Sequence, residues 1–152
     1  MVGDDDWVCL KDGDVMFLRP DYGHFIVKVI EKYPDAGVFT CFTNRIGNRW
    51  QLWPGMFDVK DVTLHRSAAE RVFDLNNYKT TKLKKPISGM VMIVSKKTWK
   101  QVKFNEVGIL KIDKDFSIRV LQHNITIRRI DGLYVFHYYR FNEGPKSTTH
   151  LL

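Results

Sequence analysis

Asp12-Gly13-Asp14 sets two carboxylates two residues apart around a glycine. On an extended segment such positions project to one side, and the glycine lets a ligand come close to the backbone. Hard carboxylate oxygens in that arrangement suit Mg²⁺ or Mn²⁺ and leave coordination positions open for a substrate diphosphate. Asp-Gly is also an ordinary turn dipeptide, so the same residues can simply reverse the chain.

Asp113-Lys114-Asp115-Phe116 is the second acidic group. Carboxylates at a helix start are stabilised by the macrodipole and by capping. One of them can also act as a general base toward a hydroxyl. His137 lies in the aromatic run Tyr134–Arg140, where strict alternation puts it on a face with Val135 and Tyr139. A strand histidine is more often packed and hydrogen-bonded than a metal ligand. His24, His65, His123 and His150 show no ligand spacing to one another. Lys79, Lys82, Lys84 and Lys85 form the densest basic run, either a solvated loop or a contact for phosphate. There is no Walker loop, no GxGxxG after a strand, no GxSxG elbow and no HExxH.

These residues need a scaffold, and the chain can build one. Its 152 residues suit a single domain spanning 1–152, and 44% hydrophobic with 13% aromatic content is enough for a packed core. The formal charge of +7 favours phosphate-bearing partners. Cys9 and Cys41 sit in apolar stretches without a CxxC pair, which reads as two buried thiols in a reducing compartment. The acidic N-terminus is unlike a signal peptide, and no apolar run reaches the roughly 20 residues of a membrane span.

Apolar patterning predicts a buried strand at Trp7–Leu10 and strands at Gly37–Phe42 and Met90–Val94, with a further extended stretch at Val15–Leu18. Phe25, Ile26, Val29, Ile30 and Tyr33 share a helical face that Pro34 ends. Helices are also expected over Thr63–Phe73, from a Ser95 cap through Val102, and over Asp113–His123 with Asn124 left-handed. Asn44–Asp61 and Asn76–Pro86 read as loops. Ile125–Ile130 and Leu133–Tyr138 flank Asp131-Gly132, a strong hairpin signal. Interleaved strands and helices make the class α/β, with a mixed sheet.

The order of these signals resembles the second half of a glycosyltransferase of the GT-A fold, closest to the inverting family-two group. The pattern runs from a strand ending in Asp12-x-Asp14 through Ser88-Gly89 before a strand, then the Ser95–Trp99 helix and Val102–Glu106. Asp113-Lys-Asp-Phe-Ser-Ile-Arg119 and finally Val135-Phe-His137 complete it. The resemblance implies a GT-A-like mixed sheet with flanking helices. It implies that Asp12, Asp14 and His137 hold Mn²⁺ or Mg²⁺ against a nucleotide-sugar diphosphate. Asp113 corresponds to the catalytic base and Arg119 to the helix arginine, while Ser88, Gly89 and Trp99 fall where the acceptor binds. Ile112 stands where the family usually carries the first Glu of a Glu-Asp pair.

The implied function is metal-dependent, inverting transfer of a sugar from a nucleotide-sugar donor to a glycan, lipid-linked or other hydroxyl acceptor. The implied setting is cytoplasmic, or peripheral at the inner membrane face. The family's nucleotide-binding half normally precedes Asp-x-Asp, and only eleven residues do so here. That half is expected to be missing, either because the chain is a fragment or because a homo-oligomer or partner chain supplies it. The rival from another class is a basic, non-enzymatic module binding nucleic acid or anionic lipid through Lys79–Lys85, and a third reading is an inactive remnant. Aromatics that are not interleaved with lysines argue against a nucleic-acid platform.

Overall fold

The computed structural model describes residues 3, 5–105 and 111–139. Glu106, Arg140 and His150 from the patterns above lie outside the described residues. The described chain forms six strands, β1 Trp7–Lys11, β2 Val15–Phe17, β3 Ala36–Thr43, β4 Thr80–Leu83, β5 Val91–Ser95 and β6 Thr126–His137. Four helices accompany them, α1 Tyr22–Lys32, α2 Val62–Asn76, α3 Lys96–Gln101 and α4 Ile112–Gln122. Arg49–Gln51 adds one 3-10 turn.

All six strands share one mixed sheet of order β1-β5-β3-β6-β2, with β4 also on β6. β5 runs antiparallel to both β1 and β3, whereas β3 and β6 are parallel. Every residue of β3 is buried, as expected of a central strand covered on both faces. Its side chains alternate accordingly. Phe39 and Cys41 join Phe25, Ile26 and Val29 of α1. Val38 joins Phe116 and Val120 of α4 on the opposite face. Phe42 and Tyr134 receive Ala69 and Val72 from α2.

Helix ends follow the local chemistry. α1 stops two residues before Pro34, whose ring would clash with the preceding turn. Ser95 caps α3 by accepting the Thr98 N–H at 3.0 Å. Asn124 adopts φ +58° just beyond α4, the left-handed exit that Asn tolerates. No described helix is long and apolar enough to cross a membrane.

Four expectations need correction. Asp131-Gly132 is not a hairpin, because β6 passes straight through it. Gly132 does not take the positive φ such a turn demands, and the β3 register instead slips between Cys41–Ile130 and Phe42–Tyr134, a bulge. Thr80–Leu83 is no loop but a strand, antiparallel to Ile127–Ile130. Trp7–Lys11 is an edge strand rather than a buried one, and Leu10 is 37% exposed. Cys9 on that edge is exposed, while Cys41 is buried.

Candidate metal centre and its cleft

The Asp12–Asp14 turn is fixed at both ends by backbone. Asp12 donates its N–H to the Met90 carbonyl (3.1 Å), where β5 begins, and the Asp14 carbonyl accepts from the Tyr138 N–H (2.9 Å), where β6 ends. Val15 then pairs with His137 across β2 and β6. Three distant segments therefore meet at one end of the sheet. One ligand atom from each of Asp12, Asp14 and His137 lies within 4.8 Å of the other two.

The imidazole is oriented for ligation. His137 Nδ1 lies 2.6 Å from the Arg45 carbonyl, which can only accept, so this nitrogen is the N–H donor. In the neutral ring Nε2 then carries a lone pair, and it faces Asp14 Oδ1 at 3.4 Å. A lone pair set against a carboxylate oxygen needs a cation or a proton between them. The carboxylates add to this demand. Partial burial pushes the Asp12 carboxyl up; His137 works against this, and the neighbouring Asp14 and Asp113 charges reinforce it. Two hard oxygens and one imidazole nitrogen are a donor set that fits a divalent ion.

Two residues that the sequence patterns did not single out hold this histidine. Asn44, wholly buried just after β3, accepts the His137 N–H (2.8 Å) and donates to its carbonyl (3.2 Å). Arg45 supplies the carbonyl under Nδ1, and its guanidinium donates to the Phe57 carbonyl at 2.8 Å. Both stand at the carboxyl end of a buried parallel strand, a place where sites gather in α/β sheets. That position was the available signal.

Asp113 joins the same cleft. One of its oxygens accepts the Gly89 N–H at 2.6 Å. A Cβ at position 89 would meet Asp113 Cβ at 2.7 Å, so glycine is needed for the close approach. Ser88 is held by Gln51, whose side chain accepts the Ser88 N–H (2.8 Å) and donates to its carbonyl (3.1 Å). Asp12, Ser88, Gly89, Asp113, His137 and Tyr139 line one cleft of about 250 Å³.

Two of the expected site residues stand apart. Trp99 lines an apolar groove with Val8, Leu10, Val94 and Phe104, on the β1 side of the sheet. Arg119 reaches back one turn to Asp115 (2.8 Å) and is not among the residues lining the cleft. His65, by contrast, has a packing role. Its Nδ1 lies 2.6 Å from the Tyr134 hydroxyl and its Nε2 2.8 Å from the Val59 carbonyl.

The arrangement as a whole can hold a divalent cation beside a carboxylate that faces the same cavity. Compared with protein-family models, curated proteins and solved structures, the chain matches none of them.

Proposed function

We propose that this cleft serves metal-dependent sugar transfer from a nucleotide-sugar donor to a hydroxyl acceptor, with inversion. The observation that carries the reading is the convergence of Asp12 and His137, two members of the Asp12–Asp14–His137 cluster, with Asp113, Ser88 and Gly89 around one cavity. These are the positions that the resemblance to family-two glycosyltransferases assigns to metal, base and acceptor.

Asp12, Asp14 and His137 Nε2 would hold Mn²⁺ or Mg²⁺. When bound, the ion supplies Lewis-acid stabilisation for charge developing on a departing diphosphate. Asp113 takes the proton from the acceptor hydroxyl as its oxygen attacks the anomeric carbon and the bond to the diphosphate breaks. The Gly89 N–H positions the base, and Asn44 with the Arg45 carbonyl positions His137. β1 closes the sheet order with its outer edge unpaired among the described residues. That edge supports pairing with a further strand, from a second copy or a chain that carries the nucleotide-base pocket.

The test is calorimetric titration with UDP and with GDP, in Mn²⁺ and again in EDTA. The reading expects binding of a nucleoside diphosphate that requires the metal and disappears with chelator. Metal-independent binding of polyanions that falls steeply with salt would replace it with the basic-module reading.

A further inference from the structure

We propose that a second pocket, opening beside Ser88, binds an anionic group carried by the acceptor, a phosphate or a carboxylate. The pocket has a volume of about 400 Å³, and its walls include Arg49, Trp50, Lys85, Ser88 and Lys114. Three cationic side chains line it and no acidic one does. Among the described residues, no carboxylate forms an ion pair with Lys85 or Lys114. Lys85 Nζ sits 4.0 Å from the centre of the Trp50 ring, and Trp50 is 40% exposed. Cations beside an accessible aromatic face suit a compact anion attached to a ring.

The walls are fixed before any ligand arrives. Asn48 donates its side-chain amide to the Pro86 carbonyl at 2.7 Å. Fully buried Gln51 clasps Ser88 through both its amide oxygen and its amide nitrogen. These contacts tie the segment after β3 to the segment before β5, so little ordering cost is left for binding. A concave site of this volume takes a small molecule rather than a duplex.

The pocket also leads to the chemistry. Gly47 and Ser88 line both this pocket and the cleft that contains Asp113. An acceptor anchored by its anion beside Lys85 and Lys114 therefore extends its hydroxyl past Ser88 toward the base. The acceptor role rests on the transferase reading, whereas the anion site itself does not.

The experiment is an amide and indole NMR titration of the full chain in EDTA, with inorganic phosphate, then glucose 6-phosphate, glucuronate and glucose. Phosphate is expected to shift the Trp50 indole and the Ser88 amide saturably. Glucose 6-phosphate should extend the shifts to Gly89 and Asp113, while neutral glucose gives none. The double variant Lys85→Gln, Lys114→Gln should weaken binding at least tenfold while the rest of its spectrum stays native. Asp12→Asn, Asp14→Asn should leave phosphate binding intact, so failure of the metal centre is separable from failure of this site. If the double lysine variant is unfolded, Arg49→Gln provides the same comparison. Glucuronate binding in place of glucose 6-phosphate would select a carboxylate over a phosphate. Absence of a Trp50 shift, or equal affinity in the lysine variant, overturns the anion site. Shifts that never reach Gly89 or Asp113 overturn the acceptor assignment.

Discussion

Gly89 donates its backbone N–H to the Asp113 carboxylate at 2.6 Å, and a methyl group at position 89 would fall 2.7 Å from Asp113 Cβ. The turn before β5 and the first turn of α4 are thus locked by one hydrogen bond and one missing side chain. Gly89→Ala must push α4 away or rotate the acid out of the cleft. We expect a loss of roughly 1–3 kcal/mol, the usual range for overpacking. Urea unfolding reads it, and adding Asp113→Gly should recover part of the loss, since the colliding Cβ is then gone. Equal destabilisation in the single and double variants would contradict the coupling.

Asn44→Ala strips two hydrogen bonds from the buried backbone of His137. Leaving such groups unsatisfied costs about 1–3 kcal/mol. Because this backbone sets the place of the imidazole, Mn²⁺ affinity should fall about 10–100-fold, as for other groups that orient a ligand. A variant that loses stability but keeps its affinity for Mn²⁺ would show that Asn44 only supports the strand.

Much of the scaffold can be read from the sequence because its signals are local. The α1 stripe ending before Pro34, the Ser95 cap and the left-handed Asn124 each depend on residues within one or two turns. Asp131-Gly132 shows where local chemistry loses to tertiary context. Asp131 is instead bound by Arg129 (2.8 Å) and by the Thr81 hydroxyl (2.7 Å), while its N–H goes to the Lys79 carbonyl. Strand β6 has partners along both edges, β3 on one side and β4 then β2 on the other, so its backbone bonds are satisfied without reversing. The β4 segment Thr-Thr-Lys-Leu was hidden by its polarity, which is the usual dress of an edge strand. In the site, Asp-x-Asp and His137 carry recognisable chemistry. Asn44 and Arg45 act on His137 largely through main-chain contacts, which leave no motif. The Asp115 ion pair of Arg119 likewise shows only in three dimensions.

His65 gives the fold a pH dependence of definite sign. The ring is fully buried, and burial pushes its pKa below the ordinary 6.5, against an opposing contribution from its hydrogen bond to Val59. On acidification the unfolded chain takes up the proton first, so the unfolded state gains. The stability contribution is complete above the ordinary imidazole value and declines as pH falls from about 6.5 toward the depressed folded value. Urea midpoints from pH 8 to pH 5 should therefore fall in the wild type and fall less in His65→Gln. Parallel profiles for the two proteins would rule out His65 as the source.

Binding of Mn²⁺ by the unliganded protein is the most direct measure of the account. Calorimetry, or the loss of the free-ion signal in electron paramagnetic resonance, should show one weak site per chain. Asp12→Asn, Asp14→Asn should abolish it, because the amides lack the charge that a hard cation requires. The His137 ring should report the same event by NMR, with Nε2 perturbed and the Nδ1–H bond to Arg45 retained. A wild type that binds no Mn²⁺, or a double variant that binds it as tightly, would contradict the metal centre and leave Asp-Gly-Asp as a turn.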